Sequence, residues 1–111
     1  MQSKKTYSVE INGKEDHVGT TPRSLRKDAL VTAIKIIEKL HESIWDNDDI
    51  VRFSIGKFCV YPNAPSVVPS KVNFSIDLRH PDNSMLTKLD KKIQNIILIH
   101  SKPCTVKIQQ L

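Results

Sequence analysis

Cysteine, glycine and long apolar runs are all scarce in this chain, and each scarcity excludes something. No stretch approaches the roughly 18 consecutive apolar residues needed to cross a bilayer, and no basic start followed by a short apolar segment marks an export leader. The reading is therefore a soluble, unexported protein with no membrane partner. Cys59 and Cys104 are the only 2 cysteines. They are too few and too far apart for a disulfide framework or a Cys-x-x-Cys metal clip, which favours a reducing, cytoplasmic compartment. The 3 glycines form no phosphate-cradling loop. No Ser/His/Asp, Cys/His or paired-carboxylate constellation can be assembled, and no repeat, low-complexity tract or internal linker interrupts the chain. Its 111 residues fit one core, so residues 1–111 are read as a single domain.

Basic residues outnumber acidic ones by 17 to 12, a net charge of +5 that raises the question of a polyanionic partner. The distribution answers against it. Lysines and arginines are scattered singly or in pairs such as Lys4-Lys5, Arg26-Lys27 and Lys91-Lys92, and Asp46, Asp48 and Asp49 interrupt them. A solvated lysine-rich surface accounts for the pattern, and no nucleic-acid partner is expected.

Periodicity predicts six segments. Tyr7, Val9 and Ile11 alternate with polar residues as in a half-buried strand, closed by the turn pair Asn12-Gly13. Thr21-Pro22 reads as a helix N-cap followed by proline at the first helical position. Leu30, Ala33, Ile34, Ile37, Leu40, His41 and Ile44 then mark one helical face, and Asp46-Asn47-Asp48-Asp49 stops the helix near Trp45. Val51, Phe53 and Ile55 alternate, and Gly56 permits a bulge. Phe58 and Val60 resume on a shifted phase. Pro62, Pro65 and Pro69 lack amide donors, so residues 62–69 are read as a connecting loop. Val72, Phe74, Ile76 and Leu78 give the cleanest alternation of all. Pro81-Asp82-Asn83-Ser84 opens a second helix carrying Leu86, Leu89, Ile93, Ile96 and Ile97, which ends before Pro103. Val106 and Ile108 make a last strand. The order β-α-β-β-α-β predicts an α+β, ferredoxin-like sandwich, a four-stranded antiparallel sheet with two helices on one face and the other face open.

Two places on that scaffold are candidates for chemistry. Asp77 and Arg79 alternate onto the open face, where they serve either solubility or, for Arg79 at the strand end, a two-bonded grip on a carboxylate. His17 precedes a small stiff turn, Val18-Gly19-Thr20-Thr21-Pro22. It reads either as an exposed loop histidine before a capped helix or as an imidazole held in a fixed direction, able to donate to a developing oxyanion. His80-Pro81-Asp82 has a His-x-Asp spacing but no nearby partners. Asn73-Phe74-Ser75 is a glycosylation sequon inside a strand, and His41 and His100 read as helix-boundary residues.

The string HVGTTPRSLRKDAL, His17 to Leu30, resembles a His-Ala-Gly-Thr-Thr-Pro-Met-x-x-Arg-x-Asp-Ala-Leu segment of the M20 metallopeptidase family. It is most similar to the branch of N-carbamoyl-L-amino acid amidohydrolases, allantoate amidohydrolases and β-ureidopropionases. VPSKVNFSIDLRHPD, Val68 to Asp82, is similar to the family's Ile-Pro-Gly-x-Val-x-Phe-x-x-Asp-x-Arg-x-Pro-Asp stretch. The resemblance runs over nearly the whole chain and implies the smaller dimerisation, or lid, domain of such an enzyme, which is ferredoxin-like. The zinc ligands, or ligands for another divalent metal such as manganese, and the general-base glutamate belong to a catalytic domain with no counterpart in this chain. The chain itself is expected to bind no cofactor and to be inactive alone. The resemblance implies that His17 polarises the amide or carbamoyl oxygen in the partner subunit's site and that Arg79 binds the substrate carboxylate. It also implies a substrate-binding role for Ser66, which stands where the family carries asparagine. Val18, Arg23 and Ser70 replace the usual alanine, methionine and glycine.

The leading expectation is thus a homodimerising, substrate-gripping domain of an amidohydrolase acting on a small carboxylate-bearing molecule, working with its own catalytic domain. The alternative is a free-standing ferredoxin-like module binding RNA or protein on the open sheet. Asn73, Ser75 and Asp77 offer that module no aromatic stacking platform.

Overall fold

The computed structural model describes residues 3–111. In chain order the elements are β1 (Ser3–Asn12), β2 (Asp16–His17), α1 (Ala29–Ser43), β3 (Arg52–Tyr61), β4 (Val67–Val68), β5 (Lys71–His80), α2 (Asn83–Ile99) and β6 (Thr105–Gln110). The long strands form one four-stranded sheet in the order β3-β5-β1-β6, and the two short ones pair with each other. Neighbouring strands run antiparallel. Both helices pack on one face of the sheet, as in a ferredoxin-like α+β sandwich. The molecule is elongated, 52 × 21 × 21 Å.

Strict alternation creates the core. Val72, Phe74, Ile76 and Leu78 of β5 and Tyr7, Val9 and Ile11 of β1 are all fully buried or nearly so. Their register sets Tyr7 opposite Ile76, Val9 opposite Phe74 and Ile11 opposite Val72. Onto this surface α1 lays Ala33, Ile36 and Leu40, and α2 lays Leu86, Leu89, Ile93 and Ile97. Burying each large aliphatic side chain contributes about 1.5 to 3 kcal/mol, so the shared face outweighs the helices' modest intrinsic propensity. One polar tie crosses the layers. The buried Tyr7 hydroxyl donates to Asp90 of α2, which also accepts from Gln94 Nε2 at 3.1 Å and stands 4.0 Å from Lys5 Nζ.

The bulge expected near Gly56 is present as a register shift between Ile55 and Phe58, where the Lys57 amide donates to Ser75 Oγ at 2.8 Å. The second helix begins where the sequence placed it, with Asp82 as its cap.

Three expectations are corrected. First, α1 does not start at Thr21-Pro22. Pro22 instead leads a single 3-10 turn over Arg23–Leu25, and the α-helix begins at Ala29. Asp28 is its cap, accepting from the amides of Leu30 at 3.0 Å and Val31 at 3.1 Å. The intervening backbone is committed elsewhere, since the Lys27 carbonyl accepts from the Lys14 amide at 2.8 Å and the Ala29 amide donates to the Pro69 carbonyl at 3.1 Å. Gly13 allows that approach, because a Cβ there would fall 2.0 Å from the Lys27 oxygen. Second, the buried face of α1 centres on Ile36 rather than Ile34. Ile34 is 53% exposed, and His41 lies on the same flank, edge-on to Phe53 of β3. Third, the proline-bounded segment 62–69 is not loop throughout. Val67–Val68 pairs with Asp16–His17, and the prolines flank that pairing without entering it.

Candidate functional site

The open face of the sheet is polar along its length, and its two ends differ. At one end, cross-strand pairing aligns Lys4 of β1, Arg79 of β5 and Arg52 of β3 in a single row. One step inward lie Thr6, Asp77 and Ser54. Arg79 turns its fork onto Asp77, with Nε to Oδ1 at 2.9 Å and Nη2 to Oδ2 at 3.2 Å. That hydrogen bond, then the charges of Arg79 and Lys4, holds the Asp77 carboxyl below its ordinary range, and the same bond together with the Asp77 charge raises the Arg79 guanidinium. Arg52 is held by Asp49 at 3.2 Å. A shallow concavity of about 620 Å³ opens here, lined among others by Arg52, Arg79, Asp77, Phe53 and Leu111. Two planar forks thus border an apolar floor, each engaged by a carboxylate of its own segment.

The opposite end carries His17 and Ser66. Pairing of β2 with β4 brings their loops together, and the Val18 amide donates to the Ser66 carbonyl at 3.1 Å. The His17 carbonyl accepts from the Thr20 and Thr21 amides at 3.2 and 3.1 Å, closing a tight turn. Within it the Gly19 amide donates to His17 Nδ1 at 3.0 Å. Arg26 spans the turn, donating from Nε to the Thr21 carbonyl and from Nη2 to the Val18 carbonyl, both at 2.9 Å. His17 is therefore an exposed side chain on an ordered support. Ser66 has φ 65°, the left-handed region that serine seldom occupies.

His17 and Ser66 are thus neighbours, while Arg79 is remote from both. Lys71 to Arg79 is eight residue steps of one strand, about 26 Å at roughly 3.3 Å each, and His17 lies beyond its Lys71 end. Arg52 and Arg26 were not picked out as candidates from the sequence. The parity of β3 puts Arg52 on the polar face, but only the register shows that it faces Arg79. Arg26 matches the arginine of the family segment quoted above, but its task is visible only in the structure, because its partners are carbonyls five and eight residues away.

The other candidates fall to local structure. His80 Nδ1 accepts from the Asp82 amide at 2.9 Å, a turn contact. Among the described residues no group of three or more His, Cys, Asp or Glu side chains is placed to hold a metal ion. The described residues do not fit a divalent-metal centre. Among the same residues no helix is long and apolar enough to cross a membrane.

An elongated ferredoxin-like sandwich with polar functional groups at both ends of an open sheet is the class of domain that this fold defines. Comparison with known proteins gives that class its family. Residues 2–103 match the peptidase dimerisation domain of the M20 group, and the chain belongs to that family. It is 34% identical over 89 residues to allantoate amidohydrolase of Escherichia coli, covering 80% of this chain and 22% of that protein. It is likewise 34% identical over 89 residues to N-carbamoyl-L-amino-acid amidohydrolase of Paenarthrobacter aurescens, with the same coverage of 80% and 22%. Among solved structures, a hydantoinase/carbamoylase family amidase from Burkholderia multivorans superposes with a TM-score of 0.93 at 27% identity, covering 99% of this chain and 27% of that one. The chain spans about a fifth of the length of these curated relatives.

Proposed function

We propose that this domain is the dimerisation and substrate-binding lid of a metal-dependent amidohydrolase that cleaves a C–N bond in a linear amide, the N-carbamoyl amino acid, allantoate or related ureido class. Zinc or another divalent metal such as manganese, with its ligands, belongs to a catalytic domain outside this sequence. The metal supplies Lewis-acid activation there, and this chain supplies binding and orientation. Arg79 takes the substrate carboxylate, His17 donates to the amide or carbamoyl oxygen as charge develops on it, and Ser66 adds a hydroxyl beside the imidazole.

The observation that carries this reading is that about 26 Å of β5 separates Arg79 from Lys71, the strand end beyond which His17 lies. No small substrate bridges that gap, so a site using both residues draws them from two copies. Two-fold pairing through a sheet edge meets the requirement. The β3 edge suits it best. Phe58 there is 43% exposed, and Phe53 of the same strand meets His41 of α1 edge-on, whereas the β6 edge presents Lys107, Gln109 and Gln110.

Complementation in the full-length enzyme tests this. His17→Ala and Arg79→Ala should each inactivate, and co-expressed together they should recover roughly a quarter of wild-type turnover, because random pairing gives half the dimers one intact site in two. Active single variants would mean that the site does not use these groups, and two inactive variants with no recovery would mean that each site takes both groups from one chain.

A further inference from the structure

The turn that carries His17 is built to settle which ring nitrogen bears the proton. A backbone amide can only donate, so the Gly19 N–H to Nδ1 contact at 3.0 Å makes Nδ1 the acceptor. The neutral imidazole then carries its hydrogen on Nε2, the nitrogen on the far side of the ring. That contact needs the turn to stay closed, and Arg26 closes it by bonding the carbonyls of both Val18 and Thr21 at 2.9 Å. It also needs residue 19 to lie against the ring. A Cβ at Gly19 would stand 3.1 Å from His17 Cε1 and 3.2 Å from Nδ1, tight enough that the ring must move.

We propose that Arg26 and Gly19 are positioning residues for His17, presetting it as the Nε2–H tautomer with that donor turned outward. The functional consequence rests on the reading that His17 polarises the scissile amide or carbamoyl oxygen; the tautomer itself does not. A polarising group must arrive as a donor, and an imidazole protonated on Nδ1 would present a lone pair to the oxyanion. The guanidinium fork suits this task because one planar group satisfies two carbonyls at once, whereas a lysine offers a single point charge.

The test is nitrogen-15 spectroscopy of histidine-labelled protein, with His17 assigned by its loss in His17→Ala. The neutral His17 ring should be held on the Nε2–H side in the wild type, and Arg26→Gln and Gly19→Ala should each release it toward the mixture of free imidazole. Arg26→Lys should fall between. In the full-length enzyme, Arg26→Gln should lower kcat between about tenfold and a hundredfold, as for a slightly misplaced catalytic group, with KM little changed. A His17 ring already mixed in the wild type, or unmoved by both Arg26→Gln and Gly19→Ala, would overturn the proposal. Normal turnover in His17→Ala would instead remove the amide-polarising role, and the spectra would still decide whether Arg26 and Gly19 hold the ring.

Discussion

Arg52 and Arg79 stand directly opposite each other across β3 and β5, like charges at a position where opposite charges would stabilise the pairing. Each is offset by a carboxylate of its own segment, Asp49 for Arg52 at 3.2 Å and Asp77 for Arg79 at 2.9 Å. Lys4 closes the row on the other side of Arg79. The arrangement keeps two forks side by side without letting them drive the strands apart.

Asp77→Asn should therefore expose the repulsion. The variant is expected to melt below the wild type in low salt, and the gap should narrow in about 0.5 M NaCl as screening shortens the range of the arginine and lysine charges. Thermal melts at two ionic strengths measure this directly. A gap that ignores salt would mean that Asp77 acts through shape and not through charge.

The Tyr7 hydroxyl gives the fold an alkaline limit. Burial first, and then its bond to Asp90, pushes that hydroxyl well above its usual value of about 10. A group whose folded value is raised contributes stability that is complete below the unfolded value and is lost as pH climbs past it. Wild-type stability should thus decline from about pH 10 upward, and Tyr7→Phe should decline less steeply. At neutral pH the same substitution should cost about 1.5 to 3 kcal/mol, because it removes a buried hydrogen bond to a charged acceptor. Urea unfolding at several pH values separates the two effects. Parallel curves for the two proteins above pH 9 or so would rule out Tyr7 as the source of the alkaline slope.

What the sequence made legible follows from how local each signal was. Val72 to Leu78 alternate on a sheet with one buried face, so strand, face and core could all be read from seven residues. The start of α1 could not, although Thr21-Pro22 has good local chemistry for a cap. Backbone bonds of Lys27 with Lys14 and of Ala29 with Pro69 tie this segment to residues just outside other strands, and Arg26 and Asp28 stay extended before the helix starts. Tertiary contacts outweighed the local preference. His17, Ser66 and Arg79 were legible through motif resemblance, but their placement was not. Adjacency of His17 to Ser66 depends on pairing of two-residue strands, too short to leave a periodicity. Arg52 depends on register across β3 and β5, which includes a bulge that no residue count alone would have fixed.

The relocated cap makes its own prediction. Asp28 accepts from two amides at the start of α1, so Asp28→Ala should cost about 1 kcal/mol, or about 4 to 8 °C in melting temperature for a domain of this size. Thr21→Ala, at the position that sequence alone favoured, should cost little, because its side chain caps no α-helix. Equal losses from the two substitutions would contradict the observed helix start.

Ser66 offers the last prediction, since two independent arguments point to the same substitution. Its φ of 65° lies where asparagine is enriched and other non-glycine residues are strained. Its carbonyl is already engaged by the Val18 amide at 3.1 Å, so a new side chain need not disturb the link to the His17 turn. The M20 stretch that this segment resembles carries asparagine at the same position. An amide offers two donors and an acceptor on a longer side chain, where the hydroxyl offers one donor and an acceptor close to the backbone. Ser66→Asn should leave stability unchanged or raise it by up to about 1 kcal/mol of relieved strain, read as an equal or higher melting temperature, and should lower KM for an amide substrate in the full-length enzyme. A lower melting temperature would show that the turn is adapted to serine, and an unchanged KM would separate this position from substrate binding.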